Sequence, residues 1–81
     1  MDNEGIALVT SIVAQALELP AGGVKPEDSV ETIEQWDSLG HLNILVALDK
    51  KFSGKAAGIS ELSKATSVRK IAELLHERQL I

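Results

Sequence analysis

Asp37, Ser38 and His41 are the residues of this 81-residue chain whose types and spacing offer chemistry. They open an apolar run that continues to Phe52. Asp37 is a good N-cap, because its carboxylate can accept hydrogen bonds from the free N–H groups of residues 39 and 40. Ser38 then takes the first helical position, with its hydroxyl near the solvent-facing mouth of the helix. Free N–H groups and the positive end of the helix dipole favour a phosphate there. The sequence therefore predicts an exposed hydroxyl at which a phosphodiester is tolerated.

Hydrolysis by Ser38 is an alternative chemistry, and the surrounding residues argue against it. The nucleophile elbow of hydrolases needs Gly two residues before the serine, and Trp36 stands there. No acid is placed to orient His41 as a base, so we interpret His41 as a packed, hydrogen-bonded histidine against Trp36 or Phe52. The chain has no Cys, and His41 and His76 lack the spacing of helical metal ligands. We expect neither enzymatic activity nor a metal site.

The apolar spacing predicts a small all-α bundle of three main helices plus one short helix, in a single domain of residues 1–81. A first helix is capped by Asp2 or Asn3 and is ended by Leu19-Pro20 and Gly22-Gly23. Its buried face keeps a three- and four-residue spacing, in Ile6, Val9, Ile12, Val13, Ala16 and Leu17.

The chain after Phe52 is predicted to form one short helix and one main helix. Residues 53–58 are small and flexible, and Ile59 to Ser63 form one short helical turn with Ile59 and Leu62 inward. Thr66 or Ser67 caps the final helix. The buried face of that helix consists of Val68, Ile71, Ala72 and Leu75.

A long loop, residues 19–37, separates the first helix from the central one, and loops of this length are mostly functional or disordered. We expect Val24, Val30 and Ile33 to attach it to the core, and Pro26-Glu27-Asp28 to start a short helical turn. Five acids and no base lie between residues 27 and 37. They form either a solvated loop or a docking surface for basic partner enzymes, in which Glu31, Glu34 and Asp37 take part.

Charge is distributed unevenly along the chain. Residues 1–49 carry a net charge of −8 and residues 50–81 a net charge of +4, which indicates charge-guided docking. The basic half lacks a dense stripe with aromatic residues, so nucleic acid is not an expected partner. No signal peptide and no apolar stretch near 18 residues occurs. We expect a soluble, cytoplasmic, free-standing monomer without a membrane span.

The string Asp37-Ser38-Leu39, with its acidic loop before and its apolar helix after, resembles the acyl carrier proteins. The resemblance extends over nearly the whole chain, to a last helix that opens at Thr66-Ser67-Val68. It implies that Ser38, flanked by Asp37 and Leu39, carries 4′-phosphopantetheine from coenzyme A. The thiol of that group would hold acyl groups as thioesters. The implied partners are a phosphopantetheinyl transferase and acyl-loading and acyl-processing enzymes.

The central helix, from Ser38 to about Lys51, is more apolar than a surface helix requires. One arc of about 100° contains the residues expected to face the core, and Leu39, Leu42 and Val46 extend the apolar surface to about 220°. This extra arc must meet the loop, an acyl chain or a partner, and Leu39 and Val46 are our candidates for partner contact. Gly40 either allows close approach to Ser38 or has no role. The core-facing arc consists of His41, Ile44, Leu45, Leu48 and Phe52.

The helix departs from the family pattern at its C-terminal end. Family members typically carry several acids there, whereas this chain has Asp49-Lys50-Lys51, and Gly40 and Asn43 stand at positions that are often acidic. The difference favours a dedicated carrier in a specialised lipid, surface-glycan or secondary-metabolite pathway over a carrier of general fatty-acid biosynthesis.

Two other interpretations stay open. An aminoacyl or peptidyl carrier shares the bundle and the modified serine, although such carriers often have a Gly-Gly pair before the serine region and a less acidic loop. An unmodified helical interaction module would instead use the surface of Leu39 and Val46. Addition of one phosphopantetheinyl group, and its loss in Ser38→Ala, separates a carrier from the interaction module.

Overall fold

The computed structural model describes residues 3–20 and 22–81. It contains three α-helices and two successive 3-10 helices. The α-helices are α1 (Asn3–Ala16), α2 (Ser38–Lys51) and α3 (Val68–Glu77), and the 3-10 helices are Lys55–Gly58 and Ser60–Lys64. We call residues 55–64 the 3-10 segment. Within the described ranges the backbone forms no strand, only one isolated antiparallel bridge.

The predicted small all-α bundle is confirmed. α1 packs against both α2 and α3, and the 3-10 segment packs against α2. The short predicted helix is present as the second 3-10 helix, Ser60–Lys64, with Ile59 and Leu62 inward as expected, whereas the first, Lys55–Gly58, lies in residues predicted to be flexible. Ala56 is also buried, so the residues expected to be flexible include one that contributes to the core.

The core is almost entirely aliphatic and draws on all three α-helices. No polar or charged side chain is buried within the part of the chain that the structure describes. Trp36, 2% exposed, is the one aromatic residue among the buried side chains. The largest fully buried side chains are Val9, Val13, Ile44, Leu48, Val68, Ile71 and Leu75.

α1 ends in a turn that its sequence does not predict, because no glycine stands at the left-handed position. Glu18 takes a left-handed conformation with φ 59°, and the Leu19 N–H donates to the Ala14 carbonyl at 2.8 Å. This is the Schellman pattern, in which Gly is the usual left-handed residue. The helix therefore stops before the predicted Pro20 signal. At its other end, Asp2 as a cap lies outside the described residues.

The other two α-helices end in a similar way. Ser53 after α2 has φ 55°, and Gln79 after α3 has φ 60°. The next N–H groups reach back five residues, from Gly54 to the Asp49 carbonyl at 2.8 Å and from Leu80 to the Leu75 carbonyl at 2.9 Å. A left-handed residue other than Gly is sterically unfavourable, and at these three ends the backbone hydrogen bonds that satisfy the last carbonyls offset that cost.

The loop is attached to the bundle partly as predicted. Val24 and Ile33 are buried, with 6% and 7% of their surface exposed. The prediction for Val30 is wrong, because its side chain is 38% exposed. Here the backbone makes the attachment: the Val30 N–H donates to the Thr66 carbonyl at 3.0 Å, and the Val68 N–H donates to the Asp28 carbonyl at 3.1 Å. This pairing fixes the loop to the start of α3 without burying Val30.

The short helical turn expected at Pro26-Glu27-Asp28 is present as a single turn and not as a helix. The chain makes one hydrogen-bonded turn, in which the Asp28 N–H donates to the Lys25 carbonyl at 3.0 Å. The Asp28 carboxylate accepts from the Lys25 N–H at 2.8 Å. This side-chain hydrogen bond closes the turn. Such local bonds from Asp to the backbone compete with the hydrogen bonds that would continue a helix.

Candidate functional site

α2 begins at Asp37, as predicted. The Asp37 backbone is extended (φ −97°, ψ −166°), and its Oδ1 accepts from the Gly40 N–H at 2.8 Å. The second expected bond, from Leu39, is not among the hydrogen bonds of the described residues. The first intrahelical bond runs from the His41 N–H to the Asp37 carbonyl at 2.8 Å. The N–H groups of Ser38 and Leu39 therefore have no helical partner.

Ser38 is exposed at the first position of α2. None of the hydrogen bonds among the described residues uses its hydroxyl. Because Asp37 performs the capping, the serine side chain is not needed for it. The chain thus presents an unengaged hydroxyl at the positive end of a helix dipole.

Gly40 is buried, and its role is packing. A Cβ atom at this position would overlap the Gln35 carbonyl oxygen and would lie 2.8 Å from Leu17 Cδ2. The missing side chain lets α2 approach both the loop and the end of α1. Neither expectation for Gly40, close approach of an enzyme or absence of a role, matches this position.

His41 joins three parts of the chain. Its Nδ1 lies 3.0 Å from Trp36 Nε1, and its Nε2 lies 2.9 Å from the Leu62 carbonyl oxygen. An indole N–H can only donate, so Nδ1 accepts and the neutral ring carries its proton on Nε2, which donates to Leu62. The two rings are nearly parallel, at 14° with centroids 6.2 Å apart. The prediction of a packed histidine bonded to Trp36 is confirmed, and we call these two hydrogen bonds the His41 bridge.

A shallow depression of about 450 Å³ lies beside Ser38, and we call it the Ser38 hollow. It brings Asp37 and Ser38 together with residues from the loop, from the second 3-10 helix and from the start of α3. The lining residues are Val30, Trp36, Asp37, Ser38, His41, Ser63 and Thr66. The hollow therefore adjoins the hydroxyl and has Trp36 and His41 on its surface.

The extra apolar arc of α2 is not covered by the loop. Leu39, Leu42 and Val46 are 67%, 54% and 47% exposed. Their spacing of three and four residues places them on one face of the helix, and we call them the exposed stripe. Exposed aliphatic side chains in a contiguous row are typical of surfaces that contact a ligand or another protein.

A second depression, of about 390 Å³, runs between α2 and the 3-10 segment, and we call it the α2 groove. Aliphatic side chains form most of its wall, with Leu45 on α2 opposite Ile59 and Leu62. Asp49 also lines it, and its buried Oδ1 has no hydrogen-bond partner among the described residues. The groove and the Ser38 hollow share Ser63, so the two depressions adjoin.

The charged candidates lie exposed at both ends of α2. Glu31, Glu34 and Asp37 are exposed before the helix, and Lys50 and Lys51 at its end. Neither of the two ion pairs formed within the described ranges includes any of them. The acids and the lysines therefore remain available to a charged partner.

The structure unites some of the predicted site residues and separates others. Asp37 and Ser38 share the hollow, whereas Val46 lines the groove. Glu31 follows Val30, which lines the hollow, and Glu34 occupies a turn of the loop. Sequence reasoning passed over Leu42 as a contact residue, although its three-residue spacing from Leu39 places it on the same stripe. Nothing in the sequence around Ser63 and Thr66 predicts that they line the Ser38 hollow.

The geometry of this region is what identifies it as a candidate site. Comparison of the chain with protein-family models, with curated proteins and with solved structures finds no match.

Proposed function

We propose that this chain is a carrier protein that holds acyl groups as thioesters on a 4′-phosphopantetheine arm attached to Ser38. The observation that supports the proposal most directly is the exposed Ser38 hydroxyl at the capped mouth of α2. Its position matches the Asp-Ser-Leu resemblance to acyl carrier proteins. A phosphodiester there lies near unpaired N–H groups and the positive end of the helix dipole.

The modification is a transfer from coenzyme A. Ser38 Oγ attacks the pantetheine phosphorus, a P–O bond of the diphosphate breaks, and adenosine bisphosphate leaves. A base of the phosphopantetheinyl transferase takes the hydroxyl proton. The carrier supplies the nucleophile and the docking surface, and the transferase supplies the catalysis, so the chain itself is not an enzyme.

Partner enzymes dock on the surface around Ser38. The exposed stripe provides apolar contact, and the exposed acids Glu31, Glu34 and Asp37 attract basic side chains. We assign the protein to the cytoplasm, where its partners are the transferase and acyl-loading and acyl-processing enzymes. No helix in the described ranges is both long and apolar enough to cross a bilayer.

Lys50 and Lys51 support a specialised rather than a general pathway. They are exposed and free of the ion pairs formed within residues 3–20 and 22–81. A partner with only basic residues opposite this end of α2 is repelled by them. The cognate enzymes therefore differ from general fatty-acid enzymes in the charge that they present here.

The α2 groove supports a further part of the proposal, that the acyl chain lies between α2 and the 3-10 segment. Leu45, Ile59 and Leu62 give it an apolar wall next to the Ser38 hollow. Burial of the chain there protects the thioester from water and stabilises the loaded protein. Identical amide NMR spectra of thiol-bearing and long-chain acyl forms would contradict this placement.

Intact-mass spectrometry tests the proposed function. The purified chain is incubated with coenzyme A and a broad-specificity phosphopantetheinyl transferase. We expect the mass to rise by one phosphopantetheinyl group and one thiol to appear per chain, because the unmodified sequence contains no Cys. Ser38→Ala abolishes both changes.

Ser67→Ala is the matched control. Ser67 also stands at a helix mouth, but its hydroxyl accepts from the Lys70 N–H at 3.1 Å as the cap of α3. The control variant is modified like the wild type. A folded wild type that gains no mass, or a Ser38→Ala variant that still gains it, would refute the carrier function.

An unmodified interaction module is the second candidate, and the exposed stripe favours it. In that case the stripe binds a partner helix or groove and Ser38 has no covalent role. Absence of mass gain, with the fold intact by circular dichroism, supports this candidate.

A further inference from the structure

One side-chain hydrogen bond joins α2 to the outer wall of the α2 groove, whose residues Ile59 and Leu62 also pack into the core. Among the described residues, the bond from His41 Nε2 to the Leu62 carbonyl at 2.9 Å is the single hydrogen bond between α2 and the second 3-10 helix. The 3-10 segment connects to α2 through Ser53 and Gly54, which both have positive φ. The wall is therefore joined to α2 by the chain at one end, by the core packing of Ile59 and Leu62, and by the His41 hydrogen bond beside the Ser38 hollow.

This contact lies where the two depressions meet. His41 lines the Ser38 hollow, Leu62 lines the α2 groove, and the next residue, Ser63, lines both. An acyl chain whose phosphopantetheine arm lies along the Ser38 hollow reaches the groove at this point. Its entrance therefore competes with the His41 bridge for the same space.

We propose that His41 is a specificity-determining residue, whose bond to the Leu62 carbonyl sets the shortest acyl chain that leaves the Ser38 hollow for the α2 groove. The inference rests on the proposed carrier function and adds that the protein distinguishes acyl chains by their length. Short acyl groups stay in the hollow with the bridge intact. Longer groups displace the Leu62 backbone from His41 and occupy the groove.

The free energies of one hydrogen bond and of one buried methylene place the threshold length of the acyl chain at a few carbon atoms. A net hydrogen bond in a protein corresponds to roughly a two- to twelve-fold change in an equilibrium constant. Each buried methylene corresponds to about a fourfold change. About one to two buried methylenes therefore offset the loss of the bond to the Leu62 carbonyl, so acetyl stays outside and octanoyl enters.

The experiment uses the full chain, loaded at Ser38 by a transferase that accepts acyl-coenzyme A. The free thiol, acetyl, butyryl, hexanoyl and octanoyl forms are compared by thermal unfolding and by the amide NMR shifts of Ile59 and Leu62. In the wild type we expect acetyl to match the thiol form. Beyond the threshold, each added methylene raises the Tm by about 3–6 °C, and the two amides shift.

Three variants give the matched comparison. His41→Leu removes both hydrogen bonds, and we expect its threshold to fall by about one to two methylenes, so that its butyryl form shifts toward the behaviour of the wild-type hexanoyl form. His41→Gln keeps an acceptor and a donor and restores a threshold near that of the wild type. Ile71→Val, in the core of α3, lowers the Tm of every form without moving the threshold.

The outcomes separate this inference from the function on which it rests. An unmoved threshold in His41→Leu would overturn the role of His41 and leave the carrier function standing. Uniform behaviour of all chain lengths in the wild type would do the same. Failure of Ser38 modification would overturn both. Should His41→Leu not fold, the wild-type octanoyl form still decides, because an unchanged His41 Nε2–H resonance on loading contradicts displacement of the bridge.

Discussion

α2 and α3 both begin at a side-chain cap, but they distribute their apolar residues differently. Asp37 caps α2 and Ser67 caps α3, each by accepting from an N–H three residues further on. α3 buries five of its ten residues, whereas α2 buries three of its fourteen. The aliphatic residues that α2 does not bury form the exposed stripe beside Ser38.

The comparison shows how a helix mouth acquires a free hydroxyl. In α3 the serine itself is the cap, so its oxygen is occupied by a backbone N–H. In α2 the cap is Asp37, the residue before Ser38, so the Ser38 hydroxyl is not needed for capping. The same helix also keeps apolar residues on its surface, which a purely structural helix such as α3 does not.

Truncation of one leucine on each helix gives the largest expected difference in stability. Leu75→Ala in α3 removes a fully buried side chain and lowers the free energy of unfolding by about 2–5 kcal/mol. Leu42→Ala in α2 removes a half-exposed one, and we expect a change within about 0.5 kcal/mol. Urea unfolding measures both. A large loss in Leu42→Ala would mean that the stripe is structural.

A glycine pair tests the close approach at the start of α2. Gly40→Ala introduces the overlap with the Gln35 carbonyl and Leu17, and we expect a loss of about 1–3 kcal/mol by overpacking. Gly58→Ala is the control, since no atom lies within 4 Å of its Cβ position. It is expected to be neutral or to stabilise by up to about 1 kcal/mol. Equal stability of the two variants would contradict the packing role of Gly40.

Charge reversal at the end of α2 has the smallest expected effect. Lys50→Glu with Lys51→Glu restores acids where acyl carrier proteins usually have them. We expect modification and loading by general fatty-acid enzymes to accelerate several-fold at low salt, and the gain to fade as salt screens the charges.

The same charge change on α3 is its control. Arg69→Glu with Lys70→Glu alters the net charge equally, but these residues lie on another helix, outside the stripe, and line neither the Ser38 hollow nor the α2 groove. Its rates stay near those of the wild type. If the two double variants react alike, net charge rather than the end of α2 governs docking.

The features that the sequence predicted are those decided within a few residues. The caps Asp37 and Ser67 are readable because each needs only a side-chain oxygen and an N–H three positions away. The bounds of α2 follow from its cap and its apolar spacing. Exposure of Ser38 follows from the same local argument.

Features set by distant parts of the chain were not predictable in this way. The partner of His41 Nε2 is a carbonyl 21 residues away, and the exposure of Val30 depends on pairing with the start of α3. Gly40 is needed in part because Leu17, which follows α1, lies against it. The left-handed residues Glu18, Ser53 and Gln79 lack the glycine that normally marks a helix end.

Trp36 has a practical consequence for work on this protein. It is the single tryptophan of a chain without tyrosine, so indole fluorescence from this protein reports on one known position. That indole donates to His41 and borders the Ser38 hollow. We expect attachment of a group at Ser38, or its movement within the hollow, to change the emission wavelength and intensity of Trp36, so that both events can be followed in real time without labelling.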